Sequence, residues 1–267
     1  MIKALFFDID GTLVSFRTHR IPQSAIEAVR RVRAMGVKVF IATGRPLPFI
    51  NNLGGLEYDG IMSVNGACCL TAKGEIISRC PVPKEDIQRL VEDSRTNPMP
   101  VAFVSNDKAI VTNPDAAMEH LAEVFTLLDI EMPETRPIEE ALEMDVLQVI
   151  AFFSEEEEAR IMGEVLRGCH ANRWHRYFAD CVAKGNDKAT GIDNVCRHYG
   201  ISVEETAAFG DGGNDITMLR HAGVGIAMGS APDEVKAAAD MVTASVDEDG
   251  IAKALGSLFS LSPQNLD

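Results

Sequence analysis

The fold of this chain is decided by residues 4–12, which read ALFFDIDGT. Four apolar residues, as in a buried central strand of a parallel sheet, lead into two carboxylates at the strand end. Side chains alternate along a strand, so Asp8 and Asp10 start on the same side. Gly11 allows a sharp turn and a close approach to a ligand, and Thr12 supplies a hydroxyl. Because neighbouring acids repel unless they bind a cation or share a proton, this stretch predicts a ligand site.

A second acidic loop follows another apolar run about two hundred residues later. Residues 207–215 read AAFGDGGND, which repeats the order of strand, acid, glycines and acid. We expect a helix to begin at Asn214 or Asp215, because their side chains suit a helix N-terminus. The two acidic loops are therefore candidates for one shared site.

Two further polar segments lie between these loops. Residues 42–46, ATGRP, follow a strand predicted over residues 37–41, and Lys188 opens a helix that we expect to run to about Tyr199. In open parallel sheets the ligand crevice lies at the carboxyl ends of the strands. The pattern places all four polar segments at such ends, which indicates a single polar site.

Helix and strand signals alternate in the manner of a doubly wound α/β fold. For example, a helix is expected over residues 24–35 and a strand over residues 37–41. After a proline-rich boundary, amphipathic helices mix with short strands until the alternation resumes. We therefore predict a core made of residues 1–82 and 184–267, with a separate α+β domain inserted at residues 83–183.

Composition limits the partners and the location of this protein. With 267 residues, of which 46% are hydrophobic, the chain can bury a substantial core. The formal net charge of -15 argues against nucleic acid as a partner, because no basic face is available to release counterions. No run approaches the roughly 18 apolar residues of a membrane helix, and the first strand begins near residue 3. We expect a cytoplasmic protein without a membrane partner.

Five segments carry a resemblance to a known family: residues 8–12, 43–46, 65–67, Lys188 and residues 210–215. In order and spacing they resemble the motifs of the haloacid dehalogenase (HAD) superfamily of phosphatases, in particular its Cof-type subfamily IIB of bacterial hexose and sugar-phosphate phosphatases. One Asp-x-Asp-Gly-Thr alone would be a moderate signal, but the ordered set is specific. The resemblance implies a Rossmann-like, doubly wound core and a C2B-type α+β cap, although the middle third matches only in size and rough pattern.

The resemblance also implies a reaction, which is Mg²⁺-dependent hydrolysis of a phosphomonoester. Asp8 would be the nucleophile that forms an aspartyl phosphate, and Asp10 the general acid and then the general base. Mg²⁺ would be held by Asp8, by Asp211 and by the backbone carbonyl of Asp10. Asp215 would orient the metal shell or Lys188.

The remaining motif residues are expected to donate to the phosphate: the Thr43 hydroxyl, the Gly44 amide, Lys188, which is also a catalytic candidate, and Asn214. Arg45 is expected to be a structural partner of a carboxylate and not a catalytic group. Taken singly, these residues have simpler explanations as turn formers, helix caps or solvated surface groups. Their occurrence together favours the site.

The inserted domain is expected to select the substrate. Arg173, Trp174 and Asp180 lie on and before its return strand, where they could stack on a sugar ring and hydrogen-bond its hydroxyls. The alternative is a strand end that packs on its own sheet. The resemblance favours a small phosphorylated metabolite, above all a hexose phosphate, as the partner of a monomer or small homo-oligomer.

Three other functions compete with phosphomonoester hydrolysis. A dehalogenase would need neither an acid two residues after the nucleophile nor a metal, so Asp10 and Asp211 argue against it. A phosphosugar mutase would keep both aspartates and return the phosphoryl group to a sugar. A sugar-phosphate-binding sensor with little turnover would not need the full set of nucleophile, acid and metal residues. The sequence leaves the mutase and the sensor open, together with the identity of the substrate.

Overall fold

The computed structural model describes residues 1–112, 115, 118–127 and 131–261. The chain divides into two compact units. The core unit consists of Met1–Arg45, Ile50–Ser78 and Asp187–Asp267, and the insert unit consists of Pro46–Phe49 and Arg79–Asn186.

The strands are β1 (Ala4–Phe7), β2 (Lys38–Ala42), β3 (Gly60–Ser63), β4 (Cys68–Thr71), β5 (Ile76–Arg79), β6 (Val101–Val104), β7 (Ala109–Thr112), β8 (Glu134–Thr135), β9 (Gln148–Ala151), β10 (Cys169–His175), β11 (Phe178–Ala183), β12 (Thr206–Gly210), β13 (Val224–Ala227) and β14 (Met241–Val242). The helices are α1 (Gln23–Ala34), α2 (Lys84–Asp93), α3 (Met118–Leu127), α4 (Glu155–Arg160), α5 (Lys188–Tyr199), α6 (Ile216–His221), α7 (Asp233–Lys236) and α8 (Gly250–Leu258).

The core unit is built on an eight-stranded sheet in the order β14-β13-β12-β1-β2-β3-β4-β5. The strands from β14 to β3 are parallel, and β4 is antiparallel to β3. Every residue of β1 and of β12 is buried, as expected for central strands that are covered on both faces. On one face, α5, α6 and α7 pack against Phe6, Phe40 and Met62. The predicted doubly wound α/β fold with a parallel core sheet is confirmed.

The insert unit has its own sheet, in the order β10-β11-β9-β6-β7-β8. Its strands are antiparallel except that β8 runs parallel to β7. Helix α2 and the π-helical turn that follows α4 lie beside one face, where Ile87, Leu90, Phe103, Val149 and Ile161 form an apolar cluster. This is an α+β architecture, as the mixed pattern predicts.

None of the helices in the described ranges combines the length and the apolar character that a bilayer crossing requires. None of the six cysteines, all of which are described, forms a disulfide bond, and five of them are buried.

Candidate active site

The end of β1 places Asp8 beside the end of β12. The two strands are parallel neighbours in which Phe7 is level with Phe209, and their rings stack with centroids 4.7 Å apart. The Asp8 N–H donates to the Phe209 carbonyl oxygen at 3.0 Å, so the first acid is tied to the second strand. Asp211, which follows β12, is thereby brought to the same edge of the sheet as Asp8.

A buried lysine joins two of the acids. The Lys188 Nζ lies 2.6 Å from Asp8 Oδ1 and 2.6 Å from Asp215 Oδ1, and the lysine side chain is 0% exposed. Burial lowers the pKa of Lys188, but the carboxylates of Asp215 and Asp8 outweigh that effect and raise it above its usual value. Lys188 is therefore an ammonium ion that holds both carboxylates.

Asp215 also fixes the loop that carries Asp211. Its Oδ2 accepts hydrogen bonds from the N–H groups of Asp211 and Gly212, each at 2.9 Å. A Cβ on Gly210 would lie 2.5 Å from the Asp215 carboxyl carbon, so only glycine leaves room for this carboxylate. Both oxygens of Asp215 are thus engaged in holding Lys188 and the loop.

Asp211 is held from the other acidic loop. Thr12 Oγ1 donates to Asp211 Oδ1 at 2.9 Å. Gly11 has φ +79°, and a Cβ there would lie 2.2 Å from Asp211 Oδ2. Burial, followed by the charge of Asp215, raises the pKa of Asp211 to about 7, while the Thr12 hydrogen bond opposes the rise.

Asp10 is paired with an arginine. Arg45 Nε donates to Asp10 Oδ2 and an Arg45 terminal nitrogen donates to Asp10 Oδ1, each at 2.7 Å, which makes the pair bidentate. The side chain of Asp10 is 31% exposed and that of Arg45 is 13% exposed. The Arg45 N–H donates to Thr43 Oγ1 at 3.0 Å, so the same residue also orients the Thr43 hydroxyl.

Arg45 was expected to pair with a carboxylate. The structure shows that this carboxylate belongs to Asp10, the candidate general acid. Sequence reasoning kept Arg45 outside the catalytic set. The sequence signal that could have indicated a role for Arg45 in the site is its position directly after Thr43 and Gly44, which the motif assigns to phosphate binding.

Thr43, Gly44 and Asn214 lie close together. Thr43 follows β2 and is buried, and its N–H donates to the Met62 carbonyl oxygen at 2.8 Å. A Cβ on Gly44 would lie 3.2 Å from Asn65 Oδ1 and 3.4 Å from Asn214 Nδ2. Asn214 Nδ2 donates to Asn65 Oδ1 at 2.9 Å. Like Arg45, Asn65 is part of the site although the sequence assigned it no role there.

The contacts above join two cationic side chains and four carboxylates: Lys188 and Arg45 with Asp8, Asp10, Asp211 and Asp215. The excess of negative charge is electrostatically costly. Burial raises the pKa of the Asp8 carboxyl well above its usual value, Lys188 opposes the rise, and the charges of Asp215 and Asp211 add to it.

The donor set fits a divalent cation. Asp8, Asp211 and Asp215 each offer an oxygen within 4.8 Å of the others. Carboxylate oxygens are the ligands that Mg²⁺ prefers, and a dication would offset the crowding of like charges. Because both Asp215 oxygens already accept hydrogen bonds, Asp8 and Asp211 are the better-placed carboxylate ligands.

The candidate sugar-binding residues belong to the insert unit. Arg173 Nε donates to Glu158 at 2.9 Å, and an Arg173 terminal nitrogen donates to the carbonyl oxygens of Phe153 and Phe178. Two of its guanidinium nitrogens are thus engaged within its own unit, whereas Nη2 is buried without a hydrogen-bond partner among the described residues. Asp180 is half-buried on β11, and the side chain of Trp174 lies outside the described part of the structure.

Comparison with known proteins identifies the family. The family model for haloacid dehalogenase-like hydrolases matches residues 5–255. The protein YkrA of Bacillus subtilis (strain 168), which carries a provisional phosphatase name, is 35% identical over 259 residues, covering 96% of this chain and 97% of YkrA.

Solved structures give the same result. The HAD subclass IIB sugar phosphatase BT4131 is 45% identical in sequence to this chain, and the two structures superpose with a TM-score of 0.86. The match covers 97% of this chain and 100% of BT4131. The HAD phosphatase BT1666 from Bacteroides thetaiotaomicron is 37% identical, with a TM-score of 0.88 over 98% of this chain and 96% of its own.

Replacing Lys188 with methionine should destabilise the protein. Lys188→Met leaves the buried carboxylates of Asp8 and Asp215 without their cation, which we expect to lower the free energy of unfolding by about 3–5 kcal/mol. Denaturant unfolding without divalent ions measures this change. Lys253→Met, at an exposed lysine, is the matched control and should change the free energy by less than about 0.5 kcal/mol. Equal stability of Lys188→Met and wild type would contradict the assigned role.

Proposed function

This chain belongs to the haloacid dehalogenase-like hydrolases and is a phosphatase of that family, and we propose that it hydrolyses small sugar phosphates in a Mg²⁺-dependent reaction. The family and enzyme class predicted from the motifs are confirmed. The observation that carries the proposal is the cluster at the ends of β1 and β12. There Asp8 and Asp215 hold the buried ammonium of Lys188, and Asp211 offers an oxygen within 4.8 Å of both carboxylates.

In the first step we assign the attack on phosphorus to Asp8. Lys188 holds Oδ1, so Oδ2 is the oxygen that we assign to attack. The new bond joins this oxygen to phosphorus while the bond from phosphorus to the alcohol oxygen breaks. Asp10 would give its proton to the leaving alcohol, which would otherwise depart as a poor alkoxide.

In the second step Asp10 takes a proton from water. The resulting hydroxide attacks the phosphorus of the aspartyl phosphate, which releases inorganic phosphate and restores the Asp8 carboxylate. The bidentate pair with Arg45 fixes the plane of the Asp10 carboxylate. Arg45 is therefore proposed as a positioning residue for both steps.

The phosphoryl oxygens would be held by donors on three loops of the core unit. These are the Thr43 hydroxyl, the Gly44 amide, the Lys188 ammonium and the Asn214 side-chain amide. Phosphoryl transfer depends on positioning and charge stabilisation, so preorganised donors are the main contribution that the protein can make.

Asp8, Asp211 and the backbone carbonyl of Asp10 would hold the Mg²⁺ ion. When bound, it would screen the attacking carboxylate from the anionic phosphate. Asp215 would contribute by holding Lys188 and the backbone of Asp211, as its hydrogen bonds indicate.

The proposed substrate class is supported by the relatives. A sugar phosphatase of 45% identity is similar over nearly the whole chain, so hexose and related sugar phosphates are the first substrates to test. We also propose that residues 83–183 act as the substrate-selecting cap, with Arg173, Trp174 and Asp180 as its candidate contacts. The enzyme is proposed to act as a monomer or small homo-oligomer in the cytoplasm.

Removal of the nucleophile should abolish the reaction. We expect wild type to release phosphate from some hexose, pentose or polyol phosphates in the presence of Mg²⁺. Asp8→Asn should lower this rate on the order of 10⁴-fold or more, because the asparagine amide cannot replace the attacking carboxylate that forms the acyl phosphate. The measurement is phosphate release over the panel, with Asp233→Asn, at an exposed acid, as the control.

Other outcomes of this assay identify the alternatives. Turnover of Asp8→Asn at the wild-type rate would contradict the mechanism. Transfer of the phosphoryl group to added sugar would indicate a mutase, and tight binding of a sugar phosphate without release would indicate a sensor.

The acid role of Asp10 predicts a dependence on the leaving group. For a hexose 6-phosphate, Asp10→Asn should lower kcat/KM by about 10²–10⁴-fold, because the alcohol needs a proton. The loss should be much smaller for 4-nitrophenyl phosphate, whose leaving group departs as a stable anion. Arg45→Met should act in the same direction but more weakly, and Arg30→Met, at an exposed arginine, is its control. Equal losses with both esters would contradict proton donation by Asp10.

Mg²⁺ should stabilise the protein through Asp211. At a concentration 100 times its dissociation constant, Mg²⁺ should add about 2.7 kcal/mol, or roughly 5–10 °C in Tm. Asp211→Asn should lose this increase without lowering the metal-free Tm, because it removes a repelled charge. Thermal unfolding with and without Mg²⁺ measures both effects, with Asp233→Asn as the control. A full increase in Asp211→Asn would remove this residue from the metal site.

A further inference from the structure

Residues 64–66, which connect β3 to β4, have an unusual backbone. Val64, Asn65 and Gly66 have φ values of 52°, 52° and 91° in succession. Left-handed backbone is uncommon outside glycine and is unfavourable for a β-branched residue such as valine. Such conformations persist only where the surroundings fix them, and they concentrate at functional sites. We call this segment the left-handed turn.

The left-handed turn supports the loop that carries Thr43 and Gly44. The Asn65 N–H donates to the Thr43 carbonyl oxygen at 2.9 Å. The Val64 N–H donates to the Arg45 carbonyl oxygen at 3.2 Å. The position of the loop therefore depends on the conformation of the turn.

The turn also packs on the start of α5. A Cβ on Gly66 would lie 2.5 Å from the Asp187 carbonyl oxygen and 3.2 Å from the Cα of Gly191. Asp187 caps α5 by accepting a hydrogen bond from the Thr190 N–H, and Lys188 is the next residue. Only glycine at position 66 allows the turn to approach this backbone so closely.

The side chain of Asn65 reaches the third loop. Its Oδ1 accepts the hydrogen bond from Asn214 Nδ2, and both amides adjoin Gly44. Asn65 is buried, with 6% of its surface exposed, whereas Asn214 is exposed. A buried acceptor that holds one hydrogen of Nδ2 fixes the orientation of the Asn214 amide and directs its second hydrogen.

We propose that Asn65 is a positioning residue for phosphate binding, which acts by orienting the Asn214 amide beside Gly44. This inference rests on the proposed function, in which Asn214 and Gly44 donate to the phosphoryl oxygens. Asn65 contacts Asn214, and the turn to which it belongs contacts the other two phosphate loops. Asn65, a motif residue that has no part in the proposed mechanism, thereby gains a role.

A double-mutant cycle tests the proposal. Asn65→Gly removes the side chain and tolerates the left-handed backbone. It should raise the inhibition constant of inorganic phosphate about tenfold, within the range for coupled neighbours. Asn214→Ala should cost at least as much, and the double variant should match Asn214→Ala within about twofold, because Asn65 acts through Asn214. Asp249→Gly, at another left-handed position, is the control for the glycine itself.

A second variant tests rescue. Asn65→Asp tolerates the same backbone and keeps an acceptor for Asn214 Nδ2. Although its charge weakens phosphate binding, the further loss on adding Asn214→Ala should equal that in wild type. This comparison remains available if Asn65→Gly does not fold.

The outcomes separate this inference from the proposed function. Wild-type phosphate affinity in Asn65→Gly, or losses that add fully to those of Asn214→Ala, would overturn the role of Asn65 alone. If the wild-type protein neither releases phosphate from the ester panel nor binds inorganic phosphate, the proposed function is overturned and this assignment with it.

Discussion

The interaction on which the site depends is the buried ammonium of Lys188 shared between Asp8 and Asp215. Each carboxylate lies 2.6 Å from Nζ, and the three residues lie at the start of α5, directly after β1 and in the loop after β12. Buried acids are costly unless they are paired, so this cation allows two acidic loops to meet at one edge of the sheet. The same contact fixes the start of α5. The arrangement balances only part of the negative charge, which explains why the set of acids suits a divalent cation.

Glycine makes this spacing of acids sterically possible. At Gly11 a Cβ would contact the Asp211 carboxylate, and at Gly210 it would contact the carboxylate of Asp215. At Gly66 it would meet the backbone at the start of α5. These three glycines therefore serve two needs, which are a left-handed backbone at Gly11 and Gly66 and close approach at all three. Charged groups and backbone are packed so tightly here that any side chain would separate the groups that carry the chemistry.

The sequence could predict the parts of this structure that depend on local pattern. Apolar runs ending in acids gave β1 and β12, and α1 begins and ends within one residue of its predicted bounds. The Asp10–Arg45 and Asn65–Asn214 contacts could not be predicted, because they join residues 35 and 149 positions apart through side-chain geometry and not through periodicity. Arg173 shows the same limit: its residue type suits a sugar, but only the fold reveals that two of its guanidinium nitrogens are engaged within its own unit.

The location of these residues explains why reaction class is easier to infer than substrate. The proposed nucleophile, acid and phosphate donors all follow strands of the core sheet or begin the helix α5, positions that leave a pattern in the sequence. In the proposed reaction each would act on the phosphoryl group or on the oxygen that links it to the alcohol, and all phosphomonoesters share both. The identity of the alcohol must therefore be recognised by side chains outside this set. Recognition of a sugar requires a few polar and aromatic groups in a suitable shape, with no fixed spacing along the chain, so such groups leave no comparable motif.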